Sequence, residues 1–392
     1  MRNDRSILLY SAAIGSILTF LAFISFSCIH KGNKPENSEA TGPTQIITKA
    51  ERFTLEKTDS CTILKIKNPW QGARNIEQVY YLVPREAGLS HFDDSSRVIS
   101  VPVKKIICTS TTHIAMIEAL GEEDAIAGVS GTRYVYNMSA ADRIKDGLIP
   151  DVGYDAGINN ELIFKINPDL LIMYGIGGEG EGYTSKLKEM GIKVMFDADY
   201  LEIDPLGKAE WIKLFGALFC KENISDSIFA SVSKEYNNLK EYIANNIKNR
   251  PSVLLGLPFK DTWYISPGNS YVSRLIDDAG GKYLWKNKES SVSMPYSLEN
   301  VYMQAVQAEF WLNIGSVLSK SEITDFDPRL ALLSPFVTWK MYNNNKRISP
   351  GGGNDYWESG TISPQVILKD IACILHPDLF QNYELVYYRK IE

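Results

Sequence analysis

The sequence predicts an α/β protein of two lobes, each with a mainly parallel sheet flanked by helices. One long rigid helix joins the lobes, and a small antiparallel β extension precedes them. Three observations carry this expectation. Short apolar strands alternate with helical patterns from about residue 101 onward. Between about 204 and 250 the pattern is helical throughout, with Ile224, Ile228, Val232, Tyr236, Leu239, Ile243 and Ile247 on one face. Pro251 stops that helix, and strand–helix alternation then resumes.

The chain opens on a short basic head (Arg2, Arg5) and an uncharged run from Ile7 to Phe26, with Ser25-Phe26-Ser27 before Cys28. A basic segment, an apolar segment and small residues before a cleavage point describe an export signal. A cysteine at that point resembles a bacterial lipoprotein, with Cys28 taking lipid and becoming the new N-terminus. The apolar run is also long enough to span a membrane uncleaved. Either way the globular part is exported and tethered. Residues 1–27 thus read as signal peptide and 28–47 as a polar tether. Residues 48–100 form the β extension: Phe53-Thr-Leu-Glu-Lys, Cys61-Thr-Ile-Leu-Lys-Ile-Lys and Gln78-Val-Tyr-Tyr-Leu-Val-Pro carry β-formers, with Asn68-Pro69 and Gly72 as breakers.

Residues 101–203 read as an N-terminal α/β lobe. Strands are expected at Val103 to Cys108, Ala125 to Val129, Asp169 to Tyr174 and Ile192 to Phe196. Helices are expected at Thr111 to Leu120, Asn160 to Ile166 and Thr184 to Met190, with Gly121 and Gly191 ending the first and last. Residues 204–250 form the helical linker and 251–392 a second α/β lobe beginning with a strand at Val253 to Leu257. The lobes echo each other. Glu161 opens a helix leading to Leu170-Leu171-Ile172, and Glu299 opens one leading to Phe310-Trp311-Leu312.

Composition excludes several functions. The net charge of −6 comes without a basic block, so nucleic acid is not an expected partner. Besides Cys28 there are Cys61, Cys108, Cys220 and Cys373. They could form two disulfides in an exported protein. The apolar patterns around Cys108, Cys220 and Cys373 favour buried free thiols. His30, His91, His113 and His376 are scattered, with no CxxC or HExxH, so no metal site and no catalytic cofactor are expected. No nucleophile elbow occurs. Gly175, Gly177 and Gly180 do form a GxGxxG run after a strand, with Asp197 at the next strand's end. An exported NAD-linked oxidoreductase is therefore the alternative reading. Glu179 and Glu181 oppose it by placing negative charge where a pyrophosphate would sit. The helix is also expected to begin only after Gly182.

Several blocks, in order over about 290 residues, resemble the iron-siderophore, haem and vitamin B12 periplasmic-binding family. They are Arg97-Val-Ile-Ser to Cys108-Thr-Ser110, Ile117-Glu-Ala-Leu-Gly121, Asp151-Val-Gly153, Asn159-Asn-Glu161, Asn167-Pro168-Asp169, Leu187-Lys-Glu-Met-Gly191, Asp278-Ala-Gly280-Gly281, Tyr296-Ser297-Leu-Glu299 and Leu375-His376-Pro377. The resemblance implies a binding lipoprotein of an ABC importer, not an enzyme, that holds a ferric siderophore, haem or a corrinoid between its lobes. It implies delivery to an ABC permease dimer with its ATPase. In the vitamin B12-binding member two surface glutamates pair with permease arginines, and they match Glu161 and Glu299. The other reading of both is an acid favoured at a helix N-terminus. Residues after strand ends are the candidate ligand contacts: Arg133, Tyr134, Tyr136, Tyr154, Tyr174, Trp263, Tyr264, Tyr356 and Trp357. His113 joins them, since Ser110-Thr-Thr-His113-Ile-Ala115 stands where the family often has Ser-Pro-x-x-Thr-Glu. A monomer is expected, lipid-anchored in the periplasm at the inner membrane. A surface scavenger without an ABC partner is the remaining rival.

Overall fold

The computed structural model describes residues 46–87, 94–154, 157–175 and 180–392. The segments expected to be export signal and, for the most part, tether, with Cys28, and also His91 and Gly177, lie outside the described residues. The extension contains β1 (Phe53–Lys57), β2 (Thr62–Lys67), β3 (Glu77–Pro84) and β4 (Val98–Val101), in that order in one sheet. The three expected strands are antiparallel, and β4 adds in parallel to β3.

The N-terminal lobe is built from β5 (Ile106–Cys108), α1 (Thr111–Ala119), β6 (Ile126–Val129), α2 (Met138–Lys145), α3 (Asn160–Ile166), β7 (Leu170–Tyr174), α4 (Gly180–Glu189) and β8 (Val194–Asp197). Its sheet runs β6-β5-β7-β8, all parallel, with helical crossovers that only a parallel α/β arrangement requires. Local chemistry sets the ends. Ser110 caps α1 by accepting the Thr112 N–H, and Gly121 follows it at φ 71°. β5 is shorter than expected because the Asp169 carboxylate takes the N–H groups of Lys104 and Lys105 at 2.7 and 3.1 Å. α4 begins at Gly180, earlier than expected. α2, not anticipated from the pattern, is capped by Asn137, which accepts from the Ala140 N–H at 2.8 Å.

The linker is α5 (Pro205–Glu210), α6 (Ile212–Phe219) and α7 (Glu222–Asn246). At 25 residues α7 is about 37 Å long. It packs on α6 at one side and on the C-terminal lobe at the other. The expected stripe is rotated at its start: Ser225 and Phe229 are buried, whereas Ile224 is exposed. A Cβ on Gly216 of α6 would lie 2.1 Å from Ser225 Oγ, so two small residues set this crossing. Cys220 corrects another expectation. It ends α6 at φ 55° and is exposed, because the chain must turn there into α7. Cys61, Cys108 and Cys373 are also free thiols.

The second lobe holds β9 (Ser252–Leu255), β10 (Thr262–Ile265), α8 (Tyr271–Asp278), β11 (Lys282–Tyr283), β12 (Met294–Ser297), α9 (Leu298–Ala305), β13 (Phe310–Leu312), α10 (Lys320–Phe326), α11 (Ser334–Val337), β14 (Met341–Asn343), α12 (Pro364–Leu375) and β15 (Arg389–Lys390). The sheet order is β11-β9-β13-β14-β15, parallel except for β15, while β10 and β12 pair antiparallel in a separate two-stranded sheet. One continuous apolar core runs through the extension, both sheets and the linker. No helix among the described residues is long and apolar enough to cross a membrane.

Two buried carboxylates fasten the start of the described chain to the linker. Glu210 accepts the N–H groups of Thr48, Lys49 and Ala50 at 2.6–3.0 Å. Glu202 accepts those of Glu51 and Arg52 and the Trp211 indole N–H, each at 3.1 Å. Lys213 Nζ balances Glu210 at 2.9 Å and also donates to the Ile46 carbonyl.

Candidate ligand-binding cleft

Ligands of open α/β sheets bind beyond the carboxyl ends of the strands, and both lobes present loops there. After β6 the chain turns at Gly131, φ 66°. The Asp151 carboxylate organises this turn, accepting N–H groups of Gly131, Thr132 and Gly153 at 2.9–3.1 Å. Burial works against its ionisation, but those N–H groups hold the Asp151 carboxyl below the usual range. The turn presents Arg133 and Tyr134, both exposed, with the guanidinium 4.4 Å from the ring centroid.

The loop after β14 meets this turn from the other lobe. Arg347 lies 2.9 Å from Asp355 and 5.2 Å from the Tyr136 ring centroid. Ser349 Oγ donates to the Arg133 carbonyl at 3.3 Å. Gly351 and Gly353 pass so close that a Cβ on them would sit 2.1 Å from the Arg133 oxygen and 1.8 Å from the Tyr134 oxygen. Glu358 then accepts the N–H groups of Tyr136 and Asn137. Burial pushes its carboxyl up to about 7. Two loops more than two hundred residues apart in sequence thus form a seam of arginines, aromatic rings and acids.

Arg133, Tyr134, Tyr136 and Trp357 belong to this seam, and Trp357 is exposed. Tyr154 is exposed on the N-terminal lobe, and Tyr174 closes β7 with its ring 6.3 Å from that of Tyr200. Tyr264 is exposed on β10. Three expectations need correction. Trp263 is fully buried against Trp311, its indole N–H on the Leu255 carbonyl, because alternation along β10 turns it inward and Tyr264 outward. Tyr356 is buried among Tyr387 and Tyr388. His113 is fully buried under Phe215, with Nε2 3.0 Å from Asp197 Oδ2. These three support the cleft without lining it.

The His113–Asp197 pair continues to Asp199 and Lys208, whose Nζ is 3.8 Å from Asp199. Burial first, and then the Asp197 charge, raise the Asp199 carboxyl above its ordinary value. Asp197 is therefore sealed in this cluster and not available to a ribose, which removes one leg of the dinucleotide reading. Gly175, another leg, is bridged by Trp70. Among the described residues no cluster of His, Cys or carboxylates could hold a metal ion. Both helix-opening acids are exposed in first turns, Glu161 on α3 and Glu299 on α9. Glu299 is 3.2 Å from Arg329, which also grips Asp327. A groove of about 840 Å³ lies elsewhere, between the extension and α6–α7, lined by Leu55, Lys213 and Phe229 among others. It contains none of the predicted contact residues.

Sequence reasoning missed Arg347, Glu358, Tyr200 and Trp70. The run Gly351-Gly352-Gly353 was the available signal for the seam, since consecutive glycines mark a close backbone approach.

The family model for periplasmic binding proteins matches residues 106–326. The chain is 30% identical over 306 residues to an uncharacterized lipoprotein of Methanocaldococcus jannaschii, covering 76% of this chain and 71% of that one. A second uncharacterized lipoprotein of that organism is 26% identical over 334 residues, 82% of each chain. Among solved structures, a periplasmic haem-binding protein from Pseudomonas aeruginosa matches with TM-score 0.55 at 16% identity, covering 74% of this chain and 98% of that one. A protein of an Fe3+-hydroxamate transport system from Saccharomonospora viridis matches with TM-score 0.52 at 18% identity, covering 70% and 94%. At such identities the structural likeness speaks to the fold, and it agrees with the two parallel sheets and helical linker found here. By its match to the family model over more than half its length, the chain belongs to the periplasmic binding protein family.

Proposed function

We propose that this protein is the substrate-binding component of an ABC importer, capturing a metal chelate (a ferric siderophore, haem or a corrinoid) between its lobes. The observation that carries the reading is the seam itself: one lobe exposes the Arg133–Tyr134 pair, and the loop of the other lobe that packs on it brings Arg347 over the Tyr136 ring and exposes Trp357. Flat aromatic faces and guanidinium groups suit a large, partly apolar chelate with oxygen-rich edges. The named cargo of the two similar solved proteins, haem and Fe3+-hydroxamate, points the same way. In this reading the protein is a carrier with no catalytic cofactor, acting as a monomer outside the cytoplasm. Cys28 holds it by lipid to the outer face of the inner membrane, which raises its effective concentration at the importer. Glu161 and Glu299 dock it on the permease dimer that the ATPase drives.

The deciding experiment is calorimetry with haemin, cyanocobalamin, a ferric trihydroxamate and a ferric tricatecholate, with NADH as a control. One chelate is expected to bind with micromolar or tighter affinity and NADH not at all. Binding of NADH without any chelate would overturn the carrier reading.

A further inference from the structure

We infer that the β extension supplies a wall of the ligand cleft, through the turn at residues 68–76, and that this turn helps select an anionic or oxygen-rich ligand edge. The inference rests on the carrier reading above but concerns a part of the chain outside the residues matched by the family model.

The turn does not merely pack on the back of the lobe. Trp70 pairs in parallel with Gly175, the residue immediately after β7. It thereby extends the N-terminal sheet at the carboxyl end, where an α/β crevice opens. The approach is close: a Cβ on Gly175 would stand 3.0 Å from the Trp70 Cβ and 3.2 Å from the Phe196 ring. Trp70 is buried against Phe196, with ring centroids 5.5 Å apart. The next residue, Gln71, donates its N–H to Tyr200 Oη at 3.1 Å, and that hydroxyl donates to the Gly175 carbonyl. Tyr200 in turn faces Tyr174, already a candidate contact, edge to face. The extension, β7 and the segment after β8 therefore meet at one point on the cleft side of the sheet.

The turn is also preorganised. The Asn68 N–H donates to the Ile76 carbonyl, the Asn68 Oδ1 accepts the Ile76 N–H, and the Ala73 N–H closes on the Trp70 carbonyl. Arg52 ties it down from behind, donating to the carbonyls of Asn68 and Leu201 at 3.1 and 3.3 Å. A turn held at both ends keeps its exposed residues in place without a ligand, so little ordering entropy is lost on binding. Gln71 is half-buried and Arg74 exposed. An amide and a guanidinium are the groups that recognise carboxylate, catecholate or phosphate oxygens.

The test uses the mature chain with the same four chelates. Hydrogen–deuterium exchange of segment 68–76 should slow when the chelate that binds wild type is added. The double variant Gln71→Ala/Arg74→Ala, at surface positions, should keep the wild-type melting temperature and bind that chelate about tenfold or more weakly, as loss of charged hydrogen bonds predicts. Unchanged affinity in the double variant, or no protection of 68–76 in wild type, would overturn this inference and leave the carrier reading intact. Failure of wild type to bind any of the four chelates would instead sink the carrier reading, and this inference with it.

Discussion

Glu358 of the C-terminal lobe accepts the backbone N–H of Asn137 of the N-terminal lobe at 2.6 Å. It accepts that of Tyr136 at 2.9 Å as well, so one carboxylate holds both sides of the seam together. The carboxyl is buried, which raises it to about 7 against the pull of those two N–H groups; Asp355 and Glu118 add to the rise. Of the other charged groups nearby, Arg347 is engaged by Asp355, Lys208 of α5 by Asp199, and Asp370 of α12 by the N–H groups of Val386, Tyr387 and Tyr388.

A pH dependence follows. An unperturbed glutamate ionises near 4.5. Between about 4.5 and 7 the folded protein keeps a proton that the unfolded chain has lost. The contribution is full below the lower value and fades as pH rises through the upper one. The slope from this group approaches about 1.4 kcal/mol per pH unit at most. Asp199, also raised, acts in the same direction at lower pH. Urea unfolding at several pH values between 4.5 and 7.5 should show wild type losing stability with rising pH, and Glu358→Gln losing less. Parallel curves for the two proteins would count against the latch.

Gly353→Ala tests the seam from the other side. Its Cβ would stand 1.8 Å from the Tyr134 oxygen, backbone that cannot swing aside as a side-chain tip could. The loops must part, at a cost of about 1–3 kcal/mol typical of overpacking. A lower melting temperature together with a larger radius of gyration by solution scattering is expected. A variant with the wild-type value of both would mean that the lobes do not touch there.

The two-sheet architecture was legible because periodicity, helix caps and glycine stops are local signals. α3 was anticipated residue for residue, and the Glu161 and Glu299 echo falls on equivalent first turns. The site was legible only in part. Trp263 and Tyr264 are neighbours in sequence, yet one is core and the other surface, and nothing local says which way β10 faces. His113 follows a strand end, as a cleft residue would, but α6 covers it. Glu358 and Trp70 acquire their roles from partners 221 and 105 positions away, a relation that periodicity does not carry.

The two helix-opening glutamates differ in a way that yields a prediction. Glu299 is already engaged: its own N–H, then Arg329, hold its carboxyl below the usual value. Glu161 has no ion-pair partner among the described residues. If both dock on permease arginines, Glu161→Ala and Glu299→Ala should each reduce uptake roughly tenfold while leaving chelate affinity unchanged. Arg329→Ala should free Glu299 and leave uptake at or above the wild-type rate. Undiminished uptake in both glutamate variants would remove them from the docking surface.

Glu210 offers the sharpest test of how the chain's beginning is fixed to the body. It is fully buried, and a buried carboxylate is tolerated only when its lone pairs are filled. Here the N–H groups of residues 48–50 and Lys213 Nζ fill them. Glu210→Ala removes the acceptor and leaves Lys213 with the carbonyl of Ile46 and the more distant Asp226 carboxylate, 3.7 Å away. Breaking a buried charge pair in this way costs about 3–5 kcal/mol. Part of that should appear as local release, because the segment before β1 would lose its anchor while Glu202 still holds residues 51 and 52. Limited proteolysis should therefore cut near residues 46–50 in Glu210→Ala under conditions that leave wild type whole, and chelate binding at the distant seam should be retained. Glu210→Gln, which keeps one acceptor oxygen, should fall between the two. Equal protease resistance in all three proteins would show that the extension's own sheet, and not the carboxylate, holds the chain's start in place.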